Sequence, residues 1–179
     1  LATQLQDGDV VNVPKVATKV EGVVQLSGHI LREETLMWIK GLRLSDVVPE
    51  IQRLKPNPDL NYGLIKRYQQ PYNKLEVISF DLQNALKDPL SNNNLFLQSQ
   101  DEVLFFGLYD STRQEKITQI IETLRSQANI ISPSQEVSIS GNVRYPGSYP
   151  LSEGMNASQL IDAAGGLTEK AFQLHAELS

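Results

Sequence analysis

Residues 137–166, VSISGNVRYPGSYPLSEGMNASQLIDAAGG, contain the pattern from which the fold follows. Val137 to Gly141 alternate apolar and polar residues, which predicts a half-buried strand. Pro146-Gly147 predicts a turn, because proline presets one backbone dihedral and glycine accepts a positive one. Tyr149-Pro150-Leu151 then predicts a short return strand, with Pro150 at a sheet edge or a strand end. The stretch therefore begins with a hairpin.

A short helix is predicted after this hairpin. Asn156 or Ser158 can cap its start. Its apolar side consists of Leu160, Ile161, Ala163 and Ala164. Gly165-Gly166 predicts its end, because glycine enters the left-handed cap conformation at low cost. Hairpin, helix and glycine stop form a compact β-β-α unit without a catalytic signature.

The same unit occurs earlier in the chain. Val24–Ile30 resembles Val137–Val143, and the two segments lie 113 positions apart. At this one offset, without an insertion, the matches are Gly28 with Gly141, Gly41 with Gly154, and Leu44–Val48 with Ala157–Ile161. Such a joint match indicates an internal repeat.

A second similarity links the front of the chain to its middle. Leu5–Val13 resembles Leu97–Phe105, with Asp9 on Asp101. Both segments predict a polar turn that leads into a short closing strand. We therefore expect residues 1–13 to hold the closing strand of a preceding module and residues 20–107 to form a complete one. Residues 135–179 would begin a further, incomplete module.

Residues 20–107 contain the elements of a β-grasp fold, with five strands around one main helix. Leu44–Leu54 predicts that helix, with Pro49 in its first turn, where proline is tolerated. Asp81 can cap a second, short helix. The strands are predicted at Glu21–Ser27, Leu36–Ile39, Tyr62–Tyr68, Leu75–Phe80 and Val103–Phe106.

An amphipathic helix is predicted between the two copies, at residues 110–128. Its apolar positions, Ile117, Ile120, Ile121 and Leu124, follow helical spacing. We expect a linking helix that packs against a module. The alternative is that its apolar stripe forms a contact between subunits.

Composition narrows the function classes. The 179 residues include no cysteine, which excludes disulfides, thiolate metal sites and cysteine nucleophiles. A formal net charge of −5 argues against a general nucleic-acid binder, and no apolar run is long enough to span a bilayer. The two histidines, His29 and His175, do not form a metal-ligand pattern. We expect no metal, no cofactor and no enzymatic activity, and the start at Leu1 suggests an excised part of a longer chain.

Four residues are candidates for ligand contact. Sugar recognition uses aromatic faces together with planar polar groups. Arg144, Tyr145 and Tyr149 crowd the second hairpin, and Trp38 lies on the first. The alternative for Tyr149 and Trp38 is a packing role, and Arg144 and Tyr145 would equally suit a subunit contact.

One segment of the chain contains more basic than acidic residues, although the net charge of the whole chain is negative. Between residues 40 and 74 there are seven lysines and arginines but only Asp46, Glu50 and Asp59 as acids. Such a stretch could face an acidic polysaccharide or an acidic neighbouring subunit. The alternative is an ordinary solvated surface.

The stretch GNVRYPGSYPLSEGMNASQLIDAAGGL, residues 141–167, resembles the SLBB (soluble ligand-binding β-grasp) domain. Together with the LxxGDxVxV strand at Leu5–Val13, the tandem arrangement resembles bacterial outer-membrane polysaccharide export proteins. The resemblance implies an α+β fold with tandem β-grasp modules. It also implies a periplasmic, ring-shaped homo-oligomer that lines or supports the passage of a capsular or exopolysaccharide chain, with an inner-membrane polysaccharide co-polymerase as a further partner. The alternative is a solute- or glycan-binding module that acts within one subunit.

Overall fold

The computed structural model describes residues 22–171, so the closing strand predicted at residues 5–13 lies outside the described residues, as does His175. The helices and strands follow one another along the chain as a β-rich segment, a long helix and a second hairpin. The strands are β1 Val23–Gly28, β2 Glu34–Met37, β3 Pro58–Gln69, β4 Lys74–Phe80, β5 Glu102–Gly107, β6 Glu136–Ile139 and β7 Gly147–Pro150. The α-helices are α1 Leu44–Val47, α2 Leu82–Lys87, α3 Arg113–Gln127 and α4 Ala157–Ala163.

The first five strands form one mixed sheet in the order β2-β1-β5-β3-β4. β1 and β5 run parallel, with Gln25 opposite Glu102, and the other neighbouring strands are antiparallel. β6 and β7 form a separate two-stranded antiparallel sheet. The sheets and helices together make a mixed α+β fold, as predicted. Within residues 22–171, no helix is both long and apolar enough to cross a membrane.

The five-stranded sheet is buried on both faces at β5, its central strand. On one face, Val103 and Phe105 of β5 pack under α1 and α2. On the other face, Leu104 and Phe106 pack against α3, the second hairpin and α4. Burial on both faces explains why β5 is a continuous apolar run rather than an alternating one.

The apolar stripe of α3 lies in this second core. Its four residues, Ile117, Ile120, Ile121 and Leu124, are all buried within the chain. The alternative prediction, in which this stripe contacts another subunit, is therefore wrong.

The helix predicted at Leu44–Leu54 is shorter than expected. α1 ends at Val47, and a single 3-10 turn follows at Ile51–Arg53. Pro49 lies beyond the first turn of a helix that begins at Leu44, so its missing N–H and its ring interrupt the helix. The ring also disfavours the helical conformation at Val48, which adopts φ −130° and ψ 71°.

The internal repeat is present in the backbone as well as in the sequence. β6, β7 and α4 begin 113 positions after β1, β2 and α1. Gly28, the last residue of β1, and Gly141, two residues after β6, have φ values of 88° and 94°. Four backbone hydrogen bonds of the first copy recur in the second, with both donor and acceptor shifted by 113 positions. In the first copy, the N–H groups of Trp38, Leu42, Leu31 and Lys55 donate to the carbonyls of Gly22, Ile39, Arg53 and His29, respectively. In the second copy, the N–H groups of Leu151, Met155, Arg144 and Thr168 donate to the carbonyls of Gln135, Ser152, Gly166 and Asn142, in the same order. The two β-β-α segments therefore share one hydrogen-bonding pattern.

The reversal of the second hairpin differs from the predicted tight turn at Pro146-Gly147. Gly147 is already the first residue of β7, paired with Ile139, and residues 140–146 form the loop. Within this loop, Val143 bridges to Leu167. A two-residue turn is too short to place Val143 beside Leu167, in the segment that follows α4, so the hairpin has a longer loop.

Candidate functional site

The loop of the second hairpin meets the chain that follows β5. The Tyr145 hydroxyl donates a hydrogen bond to the Leu108 carbonyl at 2.8 Å, and Arg144 Nη1 donates to the same oxygen at 3.3 Å. The Arg144 guanidinium also lies 5.1 Å from the centre of the exposed Tyr109 ring. Arg144, Tyr145 and Tyr109 therefore form one small surface that offers a planar cation and two aromatic rings.

Tyr149, predicted beside Arg144 and Tyr145, lies beneath this surface. Its side chain is fully buried, and its hydroxyl donates to the Tyr145 carbonyl at 2.5 Å. Gln114 Nε2 donates to the same hydroxyl at 3.3 Å. Burial raises the pKa of Tyr149, which keeps this hydroxyl a donor. The contacts give Tyr149 the packing role that the sequence left open.

Trp38 is not part of this surface. It packs against the first core, on the opposite face of the five-stranded sheet. Its indole nitrogen donates to the Leu97 carbonyl at 2.7 Å. The ligand-contact assignments of Trp38, Arg144 and Tyr145 stay predictions, but the structure brings only Arg144 and Tyr145 together.

Beneath the same surface lies a fully buried arginine that the sequence analysis missed. Arg113, at the start of α3, donates from Nη1 to Asp59 Oδ2 at 2.6 Å and from Nη2 to the Ala163 carbonyl at 2.5 Å. Its guanidinium lies 5.0 to 5.3 Å from three aromatic rings, those of Tyr62, Phe106 and Tyr145. The residue thus links the first sheet, α4 and the second hairpin.

A sequence signal for Arg113 did exist. Arg113 precedes Ile117 by four positions, so helical spacing places it on the apolar stripe of α3. A charged residue on an apolar stripe needs a buried partner of opposite charge. The sequence does not show that this partner is Asp59, which lies on a strand 54 positions earlier.

Gly165 and Gly166 end α4 in the predicted manner. Their φ values are 77° and 86°, and their N–H groups donate to the carbonyls of Asp162 and Ile161. These two bonds form a Schellman motif. A Cβ on Gly165 would lie 2.7 Å from Cδ2 of Tyr145, so the absence of a side chain lets that ring pack on the helix end.

The remaining candidate charges are largely paired. Asp101 is fully buried, accepts two hydrogen bonds from Arg67, at 2.9 and 2.7 Å, and accepts the Gln98 N–H at 2.7 Å. Arg53 pairs with Glu34 and Lys66 with Glu102. Three of the seven basic residues between 40 and 74 are thus neutralised by acids outside that stretch, which favours the ordinary-surface alternative. In the part of the chain that the structure describes, no three acidic or histidine side chains cluster as metal ligands would.

A cleft of about 400 Å³ separates the sheet from the exposed side of α3. Its polar groups bind one another. Glu102 accepts hydrogen bonds from the Ser27 hydroxyl at 2.9 Å and from Lys66 Nζ at 2.5 Å. Groups that are already paired in this way lose those bonds if a ligand replaces them.

Comparison with models of protein families gives a match in the second half of the chain. Residues 137–176 match the family model of the SLBB domain. No curated protein matches the chain significantly. The match covers the second hairpin, α4 and the glycine stop, and it therefore includes Arg144 and Tyr145 but not Tyr109. Residues 137–176 of this chain therefore match the SLBB domain, a family of ligand-binding domains.

Proposed function

We propose that this chain is a periplasmic segment of a bacterial polysaccharide export protein. Its β-grasp modules assemble into a ring that lines or supports the passage of a capsular or exopolysaccharide chain. The observation that carries the proposal is the backbone repeat at an offset of 113, because it gives residues 22–55 the same build as the SLBB match. Tandem SLBB modules are the arrangement found in such export proteins.

The strand order supports two β-grasp modules. In the first, the sheet order is β2-β1-β5-β3-β4, and the opening strand pairs in parallel with the closing strand. In the second, β6 pairs with β7 as β1 pairs with β2. On this proposal, residues 20–107 form a complete module, residues 110–128 link it to the next, and residues 135–179 begin that next module.

The close packing of the two modules fits a structural role. α3 and the second hairpin cover one face of the first sheet. Ser152, from the second module, accepts the Ser79 N–H of β4 at 2.8 Å, and Arg113 joins both modules from inside. A rigid pair of modules holds a fixed angle, which a closed ring requires.

Assembly can be tested by sedimentation velocity over a range of concentrations of the 20.0 kDa chain. We expect species larger than the monomer to form as concentration rises. β2 is an edge strand on which Met37 is 80% exposed, and Met37→Glu should weaken assembly if this edge is a subunit contact. Tyr72→Glu, at an equally exposed aromatic residue on the β3–β4 turn, is the matched control. A strict monomer at every concentration would contradict the ring.

The second candidate is a glycan- or solute-binding module that acts within one subunit. The surface formed by Arg144, Tyr145 and Tyr109 favours it, since it combines a planar cation with aromatic faces. Calorimetric titration with oligosaccharides separates the two functions, because only this candidate predicts saturable binding by a monomeric chain at that surface. Neither function involves a catalytic step or a cofactor. If the chain acts in polysaccharide export, an inner-membrane polysaccharide co-polymerase is its proposed further partner.

A further inference from the structure

One edge of β6 has no neighbouring strand in the part of the chain that the structure describes. Within residues 22–171, β6 pairs with β7 alone. In the first copy, β1 lies between two strands, with β2 on one side and the parallel closing strand β5 on the other. The second copy repeats β1 and β2, but no described strand takes the place of β5. The free side of β6 is called the open edge below.

The hydrogen-bonding pattern identifies the backbone groups at the open edge. The Leu151 N–H donates to the Gln135 carbonyl, so the odd-numbered residues of this segment bond toward β7. The N–H and carbonyl of Ser138 therefore face the open edge. At the same position of the first copy, the Gln25 N–H donates to the Asp101 carbonyl at 2.9 Å. Such a row of backbone donors and acceptors is a template for a further strand.

Side-chain burial also differs between the two opening strands. Val24 and Leu26 of β1 are only 0% and 1% exposed. Their counterparts Val137 and Ile139 are half-buried, although they pack against the second core. A strand at the open edge would place side chains beside both residues and remove apolar surface from water.

The segment Leu5–Val13 has the residues that a closing strand needs. The turn before β5 has two demanding positions, Gln100 with a φ of 73° and Asp101, whose carboxylate accepts a backbone N–H at 2.7 Å. Leu5–Val13 has Gly8 and Asp9 at these positions. Glycine adopts a positive φ at lower cost than glutamine, and the aspartate keeps the acceptor. The sequence of this segment therefore suits the same turn.

The alternation within this segment fits an edge with one buried face. If the segment pairs with β6 in the register that joins β1 to β5, Val10 lies opposite Ser138. Val11 and Val13 then point toward the core, and Asn12 points toward solvent. β5, by contrast, is apolar on both faces, since both are covered.

We propose that residues 5–13 of a second copy of this chain pair in parallel with β6 and complete the second β-grasp module. The contact is heterologous, because each copy donates one segment and accepts another at a different place. Such a contact generates a ring when its rotation closes. The inference deepens the proposed function by naming the subunit contact, and it rests on that function for the choice of a second copy over the same chain.

Two engineered cysteines test the contact in the full chain, which has no cysteine of its own. Val10→Cys together with Ser138→Cys places two thiols at directly opposed positions, with Cα atoms about 5 Å apart, within the range of a disulfide. After mild oxidation, we expect a ladder of covalent dimers and larger species on a denaturing gel without reductant. Reduction should return all of it to the monomer.

Val11→Cys together with Ser138→Cys is the matched control. The thiol at position 11 points to the opposite face of the strand, so this variant should stay monomeric on the same gel. Sedimentation velocity gives a second measurement without cysteines. Val11→Asp should shift the chain toward the monomer, because it buries a charge, whereas Asn12→Asp should assemble like the parent chain.

Three outcomes would overturn the inference. A disulfide within one chain, identified by peptide mass mapping, would show that the donor is the same copy. Free thiols in the test variant would show that residues 5–13 do not occupy the open edge, and an equal ladder in the control would show unspecific cross-linking. Assembly of the parent chain in sedimentation, without a ladder in the test variant, would reject strand donation and leave the ring in place. A failure of this contact is therefore distinguishable from a failure of the proposed function.

Discussion

Replacing Arg113 with methionine tests whether the buried ion pair holds α3 and α4 against the five-stranded sheet. The substitution keeps an unbranched side chain of similar reach, so it preserves much of the apolar packing. It removes the charge that faces Asp59 and the donor that satisfies the Ala163 carbonyl. The Asp59 side chain is only 3% exposed, so its carboxylate would remain buried without a cation.

The expected loss is large. Removing one partner of a buried pair costs about 3–5 kcal/mol, because it leaves an uncompensated charge. A domain of this size loses about 2–4 °C of Tm for each kcal/mol, so Tm should fall by roughly 6–20 °C. Adding Asp59→Asn removes the orphaned charge, while the side-chain oxygen still accepts the N–H groups of Asn61 and Tyr62. The double variant should therefore regain about 1–3 kcal/mol.

Urea unfolding followed by circular dichroism measures these differences. Arg125→Met is the matched control, since Arg125 lies on the same helix and pairs with Glu136 at the surface. This control should leave the unfolding midpoint nearly unchanged, because exposed ion pairs add little stability. If Arg113→Met unfolds at the same midpoint as Arg125→Met, the buried pair does not hold α3 and α4 against the sheet and the reasoning fails.

The remaining predictions concern a glycine, a sheet edge and a carboxyl group. Gly165→Ala should lower the free energy of unfolding in urea by about 2–4 kcal/mol, since it adds a clash with the Tyr145 ring to the strain of a positive φ. Gly154→Ala, at a φ of 72° with open space around it, should lower it by only about 1–2 kcal/mol. Equal losses in the two variants would rule out the clash. The Gln127 side-chain amide accepts a hydrogen bond from the Leu75 N–H and donates one to the Leu75 carbonyl, at the edge strand β4. Gln127→Ala should therefore lower the free energy of unfolding by about 1–2 kcal/mol and raise turbidity on heating. Unchanged turbidity would show that this edge does not need the amide to prevent aggregation. Burial, together with the nearby carboxylates of Asp59 and Asp81, raises the pKa of Asp162 above its ordinary value of 3.8. Between the ordinary and the raised pKa the native state binds more protons than the unfolded state, so the protein loses stability as the pH rises through that range. Asp162→Asn should therefore be more stable than the parent chain at pH 7 and lose this advantage below the ordinary pKa, whereas stability curves that stay parallel across pH would contradict the assignment.

The sequence anticipated features that depend on neighbouring residues. The alternation in Val137–Gly141, the cap at Asn156 and the stop at Gly165-Gly166 all appear in the structure. The reason is that strand period, capping and left-handed glycine conformations are set within a few residues. The offset of 113 is also a property of the sequence alone, and it holds down to individual backbone hydrogen bonds.

One local prediction failed because two local rules competed. Leu44–Leu54 has helical spacing of apolar residues, but Pro49 breaks the hydrogen-bond ladder inside that range. The prediction placed Pro49 in the first turn, where proline is tolerated, but Pro49 is the sixth residue of a helix that begins at Leu44. The chain instead forms a single helical turn and a 3-10 turn, which leave Val47, Val48 and Leu54 buried but Ile51 exposed.

Contacts between distant segments could not be predicted in this way. Arg113 finds Asp59 from 54 positions away, and Tyr149 is buried because α3 and the second hairpin close over it. The sequence by itself determined the local units, their glycine stops and their repetition, since these depend on backbone preferences of adjacent residues. Only the tertiary structure decided which charges are paired, which aromatic rings are buried and where a ligand could enter, because those depend on which segments the two cores bring together.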